Sequence, residues 1–586
     1  MKRGKSKSIT HISRMISLFV LICHCLLVRS EEVEDDYYSS SSRRPNIIVI
    51  IADDLGWNDI SFHGADQIPT PNIDALAYNG VILQRHYALP TCTPSRTAFL
   101  TGRYPIRQGM QGFPLKTGEK RAIPKQFKLL PAYLKDLDYS THLVGKWHVG
   151  YYAPEYTPAN RGFDTFFGYY NGYVEYFNHT VVELPNEAHI GNDLHRDKPK
   201  ELSPEFAYGY LTDLITDEAE KVISMHDPAK PLYLQIAHLA CHSSGLGNGD
   251  ELQVSDLNKV NADFGYIKDM NRRKFAGVVS SLDQSVGRVV DALQKAKLLE
   301  NSIILFISDN GAQTEGFLEN YGSNYPLRGM KFTMFEGGVR VPACIYSPLI
   351  KKPSRIYDQL IHITDWLPTL YSAARGNIRS LENFDGIDQW NTIRKGKRSK
   401  RNNLLINIDN KIGEESAIIG KYKLIKRNST DSGNYYGDDG ADDSYPRYNM
   451  SNVMSSLVAR AISTISNNRL TKWKIKGLRQ STKISCKHPT HFSNCTNGCL
   501  FNIFNDPCET KDISECYPRI VAGLRKYIDE YKKVLVNQTN YLTDPASFPE
   551  NFNGTWMPWL KDDVDLISTN YISHQEFACN GPTIIV

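Results

Sequence analysis

The segment Asn46-Ile-Ile-Val-Ile-Ile-Ala52 is an unbroken apolar, β-branched run that stops abruptly on Asp53-Asp54. A run with no polar alternation reads as a strand buried on both faces, and such strands belong in the middle of a parallel sheet covered by helices. Similar short runs occur at Thr141–Gly145, Leu232–Ala237 and Ser302–Ser308, each followed at once by polar residues. Between them lie helical patterns: Pro71 and Gly80 bracket Ile73, Leu76 and Ala77, and Phe275, Val278, Val279, Leu282, Val286, Val289 and Leu293 recur at spacings of three and four. Strands alternating with amphipathic helices predict an α/β domain. Ligands in open parallel sheets sit beyond the carboxyl ends of the strands, so the polar clusters predict one site assembled from distant segments.

From about residue 400 the alternation weakens. The spacing predicts a main domain over 31–400 and a smaller C-terminal α+β domain over 401–586. The stretch 428–468, rich in Asn, Ser, Asp, Gly and Tyr, is expected to be a surface insertion or mobile loop. The formal charge of the 586-residue chain is +4, yet residues 1–30 hold six basic groups and no acid, and subtracting those six leaves the rest at −2. A nearly neutral, mixed-sign chain gives no reason to expect nucleic acid as a partner.

Residues 1–30 combine a basic head, an apolar run from about Met15 to Val28 and Ser30 before Glu31, which reads as a secretory signal peptide. The run is shorter than the ~20 residues of a membrane span, although an uncleaved signal anchor remains the alternative. No other segment is apolar enough to cross a bilayer, so no stable span is expected after cleavage. The destination is the secretory pathway, lysosomal or secreted. Sequons at Asn178, Asn428, Asn449, Asn494, Asn537 and Asn553 have meaning in that route. Removing Cys23 and Cys25 with the signal leaves nine of the 11 cysteines, an odd number that predicts one unpaired. Five of them fall between 486 and 516, a cluster that an oxidising compartment turns into disulfides rather than a zinc site.

Two polar groups stand out at strand ends, Asp53-Asp54 and Asp309-Asn310-Gly311. Four oxygen-bearing side chains suit a hard cation, Ca²⁺ or Mg²⁺, and no His or Cys spacing favours zinc. Each pair taken alone is equally the turn chemistry of a chain leaving a strand. In Pro90-Thr-Cys-Thr-Pro-Ser-Arg-Thr-Ala-Phe-Leu-Thr-Gly102, Cys92 stands just before Pro94, expected as the first helical residue, with Gly102 closing the helix. Backbone N–H groups at a helix start, with Arg96 one turn on, make an anion site suited to sulfate or phosphate. A lone secreted cysteine is otherwise half of a disulfide.

Cys92-Thr-Pro-Ser-Arg96 followed by Leu100-Thr-Gly-Arg103 resembles the sulfatase signature. A second sulfatase motif is matched by Tyr139-Ser-Thr-His-Leu-Val-Gly-Lys-Trp-His148, with Asp138 where the family usually has Gly, a departure read as a turn variation. Pro326-Leu-Arg-Gly-Met-Lys331, Glu336-Gly-Gly-Val-Arg340 and Leu360-Ile-His-Ile-Thr-Asp-Trp-Leu-Pro-Thr369 extend the resemblance, which runs from about Pro45 to Asp512 and is nearest to the arylsulfatase B branch. It implies an alkaline-phosphatase-like, mostly parallel sheet flanked by helices. It further implies that a formylglycine-generating enzyme oxidises Cys92, and that Asp53, Asp54, Asp309 and Asn310 bind one Ca²⁺ together with formylglycine-92. Arg96 and His148 would orient the formylglycine hydroxyls, Lys146 and Lys331 would hold sulfate oxygens, and His242 would stand near the leaving oxygen. His238, inside or at the edge of its strand, competes with His242 but reads as packing. The implied substrate is a sulfated sugar of glycosaminoglycans, N-acetylgalactosamine 4-sulfate-like. Two alternatives are a superfamily phosphatase or phosphodiesterase, which the missing His-rich metal pattern disfavours, and a catalytically silent binder of sulfated glycans.

Overall fold

The computed structural model describes residues 43–182, 189–244, 251–429, 433–441, 443–466, 469–486 and 492–561. The expected signal peptide 1–30, with Cys23 and Cys25, and Cys579 in the tail lie outside the described residues.

Nine strands form the main sheet: β1 (Asn46–Ala52), β2 (Val81–Leu83), β3 (Ser140–Lys146), β4 (Thr165–Tyr169), β5 (His195–Asp197), β6 (Leu232–Ala237), β7 (Ser302–Ser308), β8 (Ala343–Tyr346) and β9 (Arg355–Tyr357). Their order is β9-β2-β8-β7-β1-β6-β3-β4-β5. The five central strands β7-β1-β6-β3-β4 run parallel, and antiparallel β8 and β5 flank them. β1 lies at the centre, and all seven of its residues are buried. Ile48, Ile50 and Ala52 face a core built with α1 (Pro71–Asn79), α3 (Leu211–Met225) and α4 (Met270–Lys295). Ile47, Val49 and Ile51 face the opposite core, shared with α2 (Cys92–Thr101) and α5 (Trp366–Ala373). Two helical layers therefore cover the two faces, which explains why the strand carries no polar alternation.

A second, antiparallel sheet is formed by β10 (Asn403–Asp409), β11 (Glu414–Ile419), β12 (Tyr422–Lys426) and β13 (Cys499–Asn502). Alternation sends Leu405, Ala417, Leu424 and Leu500 against Val521, Leu524 and Ile528 of a C-terminal helix, Pro518–Lys532, with Tyr104 and Ile106 in the same cluster. Leu404, Ile406, Ile418 and Phe501 pack on Tyr87, Met334 and Phe335. A buried ion cluster reinforces that second contact: Lys423 Nζ lies 2.9 Å from Glu336 Oε1 and 2.9 Å from Glu509 Oε1.

One expectation is corrected, the number of unpaired cysteines, and the insertion gains detail. The described part of 428–468 is a surface segment docked on the core. Its helix Leu457–Ile465 buries Val458, Ala461 and Ile462 in the core under α1 and α4, and the Tyr448 hydroxyl donates to Asp74. The polar composition hid an amphipathic face only three residues deep. The cysteine cluster forms Cys486–Cys508 and Cys495–Cys499, but four described cysteines are free rather than one: Cys92, Cys241, Cys344 and Cys516. Cys241 and Cys344 are buried within the main sheet core, where they act as small apolar side chains.

Candidate active site

The strand order explains how the site forms. β7, β1, β6 and β3 are neighbours, so the segments leaving their carboxyl ends meet: Asp309-Asn310, Asp53-Asp54, His238–His242 and Lys146. Backbone bonds extend the ladder beyond the strands, with Asp53 N–H donating to Ala240 O at 3.0 Å, Cys241 N–H to Asp53 O at 2.7 Å and Asp309 N–H to Ala52 O at 3.3 Å. Asp54 and His148 adopt left-handed backbone, φ 56° and 53°, a conformation that persists only where surrounding contacts enforce it. Asp138 is left-handed as well, φ 65°. That accounts for an aspartate standing where glycine is usual, because Asp tolerates this region better than most side chains.

Helix α2 begins at Cys92 itself, with Pro94 inside the first turn rather than at its first residue. Proline is tolerated there because first-turn N–H groups have no partner within the helix. Gly102 ends the helix with φ 65°. Cys92 is a free, buried thiol. Burial pushes its pKa up, opposed by Lys146 and Lys331 and assisted by Asp53 and Asp309.

Around it every buried cation is matched to a carboxylate. Lys146 Nζ lies 2.6 Å from Asp53 Oδ2, and both side chains are fully buried. Lys331 Nζ lies 2.7 Å from Asp54 Oδ2 and 3.1 Å from His242 Nε2. Arg96 donates from Nε at 3.0 Å and approaches from Nη2 at 2.8 Å to Asp309 Oδ2, with Asp53 Oδ1 3.6 Å away. Burial would lower the Arg96 pKa, but Asp309 and Asp53 hold it above the ordinary value. Burial would raise Asp54, but Lys331 and His242 hold it below. Asp309 is raised by burial and by Asp53, against Arg96. Asn310 Nδ2 donates to Asp54 Oδ1 at 2.6 Å.

The carboxylates of Asp53, Asp54 and Asp309 present oxygens within 4.8 Å of one another. Asp53 Oδ1 and Asn310 Oδ1 are buried without a hydrogen-bond partner. Orphaned acceptors of this kind are costly unless something positive meets them, and the all-oxygen donor set fits a hard cation such as Ca²⁺.

The two histidines differ in tautomer. His148 Nε2 meets Leu115 O at 2.9 Å, and since a carbonyl only accepts, that nitrogen carries the proton. Its Nδ1 is then a bare acceptor, buried and unpaired. His242 Nδ1 meets Ser243 O at 2.7 Å, which leaves Nε2 to accept from Lys331. Burial first, and then Lys331, lowers the His242 pKa to about 3. His238 turns away and pairs with Ser285 Oγ of α4 at 3.0 Å.

Sequence reasoning passed over two residues. Asn320 Nδ2 donates to Asp54 O and Cys241 O, at 2.9 and 3.1 Å, and ties two strand ends together. It sits in a loop with no pattern to reveal it. Tyr169 ends β4 in register with Lys146, and its buried hydroxyl has no hydrogen-bond partner. The strand-end rule that marked the other segments also applies to this one.

Comparison with known proteins agrees with this architecture. The Sulfatase family model matches residues 45–376. The chain is 36% identical to mouse arylsulfatase J over 524 residues, covering 88% of this chain and 80% of that protein. It is 32% identical to mouse N-acetylgalactosamine-6-sulfatase over 366 residues, covering 60% of this chain and 66% of that one. Among solved structures, Ps i-CgsB superposes with a TM-score of 0.65 at 24% identity, covering 87% of this chain and 97% of the other, a likeness of fold. A family model that spans more than half of the chain, together with a relative aligned along most of it, makes this protein a member of the sulfatase family.

Proposed function

We propose that the chain hydrolyses sulfate esters of sugars, using formylglycine made from Cys92 as nucleophile and one Ca²⁺ held by Asp53, Asp54, Asp309 and Asn310. The observation that carries this reading is the position of Cys92, a buried thiol at the first turn of a helix, in the field of Lys146 and Lys331 and of two carboxylates. A bound Ca²⁺ would supply Lewis-acid neutralisation of charge on a sulfate oxygen. Formylglycine, as its hydrate, would supply one hydroxyl to attack sulfur and a second whose deprotonation expels sulfate and restores the aldehyde.

The remaining chemistry belongs to side chains already in place. Lys146 and Lys331 present ammonium groups to sulfate oxygens, and burial strengthens that contact relative to water. The unpaired Nδ1 of His148 accepts a hydroxyl proton from residue 92, and Arg96, clamped on Asp309, orients the other hydroxyl. Asp309 is poorly suited to act as a base, since Oδ2 already meets Arg96 and Oδ1 accepts the Asp54 N–H at 3.3 Å. His242 Nε2 accepts from the Lys331 ammonium as it stands, so it protonates the leaving oxygen only after taking up a proton from solvent in the substrate complex.

A relative named N-acetylgalactosamine-6-sulfatase supports a sulfated sugar as substrate, and a glycosaminoglycan terminus, N-acetylgalactosamine 4-sulfate or an isomer, is the expected ligand. The family and the expected signal peptide favour lysosomal or secreted delivery. The test is mass spectrometry of the tryptic peptide His86–Arg96 from protein made through a eukaryotic secretory route, followed by assay on sulfated hexosamines. Formylglycine at position 92 with sulfate release supports the reading. A persistent thiol with no turnover, in cells with a working modifying enzyme, would replace it with a sulfated-glycan binder.

A further inference from the structure

The segment Gly112–Leu115 is sewn to the loop that carries Cys92. Gly112 O accepts from Thr91 Oγ1 at 3.1 Å, Leu115 N–H donates to Thr93 Oγ1 at 3.0 Å, and Leu115 O meets His148 Nε2. Between these tethers Phe113 projects into solvent, 42% exposed, an unusual place for an aromatic ring whose backbone is so firmly held. Its ring stacks on Phe332, with centroids 5.7 Å apart and planes 21° from parallel. Phe332 follows Lys331 directly, and its N–H donates to Pro90 O at 2.8 Å. Its backbone is left-handed, φ 72°, a costly state for a bulky side chain that marks sites where ring placement matters. Lys331 Nζ lies 5.8 Å from the Phe332 ring centroid. The stacked pair therefore lies beside Lys331 and the segment that holds His148.

A polar edge adjoins this apolar face. Gly112 has φ 81°, and a Cβ there would meet Gln538 Oε1 at 2.0 Å and Asp409 Oδ2 at 2.8 Å. Gln538 Nε2 donates to Asp409 Oδ1, while Gln538 Oε1 is buried with no hydrogen-bond partner. Glycine at 112 thus lets an orphaned amide acceptor and a carboxylate approach within one residue of the exposed ring. A flat, exposed apolar face suits a pyranose, which offers C–H groups from one face of its ring.

We propose that Phe113 and Phe332 form the stacking platform for the sugar ring whose sulfate is held at Cys92. The proposal rests on the sulfate-ester reading for the position of the sulfate.

The test is calorimetric titration of the full chain with N-acetylgalactosamine 4-sulfate, N-acetylgalactosamine 6-sulfate and inorganic sulfate, comparing wild type with Phe113→Ala and Phe332→Asn. Asparagine suits the left-handed backbone at 332, so both variants are expected to fold. Sugar-sulfate affinity should fall roughly tenfold in each variant, equivalent to about 1.4 kcal/mol. Inorganic sulfate should bind within about twofold of wild type, since the platform does not reach it. Unchanged sugar affinity, a parallel loss of sulfate affinity, or wild type binding neither sugar would overturn the platform. A wild-type protein that releases no sulfate, yet loses sugar affinity selectively in the variants, would overturn the hydrolytic reading and leave the platform standing.

Discussion

Asp283 offers a prediction that the structure makes quantitative. It belongs to α4, yet its carboxylate accepts the N–H groups of Asn72 at 3.0 Å and Ile73 at 2.9 Å, in the first turn of α1, and the Asn72 side-chain amide at 2.9 Å. Thr70, at the usual capping position, makes no such bond, so the helix is capped from 210 residues away in sequence. Burial raises the Asp283 pKa from 3.8 to about 7, because the hydrogen bonds offset desolvation only in part and nearby Asp74 adds to the rise. The sign of the linkage follows. Below 3.8 both folded and unfolded chains carry the proton, and between 3.8 and 7 only the folded chain does, so this group's contribution to stability declines as pH rises through that window. At about 1.4 kcal/mol per unit, the roughly two units between pH 5 and 7 amount to something on the order of 3 kcal/mol. Asp283→Asn keeps a carbonyl for the two N–H groups and abolishes the titration. Thermal unfolding at a fixed scan rate, between about pH 5 and pH 8, should show wild type losing on the order of 3 °C more than the variant. Parallel pH dependences in the two proteins would show that this carboxyl does not carry a proton in the folded state, and the argument from burial would fail.

Further outcomes can be checked alongside. Asp309→Ala removes a carboxylate from the oxygen cluster and frees Arg96, so calcium should no longer raise the melting temperature and turnover should be lost; an undiminished calcium shift would argue against the ligand role. His242→Ala should slow sugar sulfates, whose alkoxides leave poorly, more than activated aryl sulfates by roughly tenfold or more, and equal losses would remove it as the proton donor. Lys423→Met leaves Glu336 and Glu509 facing each other in the interior, at a cost of about 3–5 kcal/mol, to be read as faster proteolysis of the region after residue 400. Resistance equal to wild type would mean that the cluster is not what holds the small sheet against Met334 and Phe335.

The polar stretch after residue 428 shows how composition can mislead. Its Asn, Ser and Gly content describes the solvent side of the segment, whereas its docking uses the short apolar face of Val458, Ala461 and Ile462 and single side chains such as Tyr448. Asn58 and Ser323, close to the strand ends of the site, also bond to the Asp438 carbonyl. The segment thus packs directly on loops that follow Asp53-Asp54 and Asp309-Asn310.

By itself, the sequence determined the α/β class, the central place of Asn46–Ala52 and the polar strand ends. Burial on both faces leaves no freedom for polar alternation, and that constraint is local and directly readable. The family was likewise legible, because Cys92-Thr-Pro-Ser-Arg96 and its companion motifs stand in contiguous order. The tertiary structure alone decided which groups face each other. Pairing Lys146 with Asp53, capping α1 from Asp283, leaving Cys241 and Cys344 as free core thiols and bringing Gln538 beside Gly112 all depend on strand order and helix docking. Those contacts join residues tens to hundreds of positions apart, and no local propensity or periodicity encodes a distance across the folded chain.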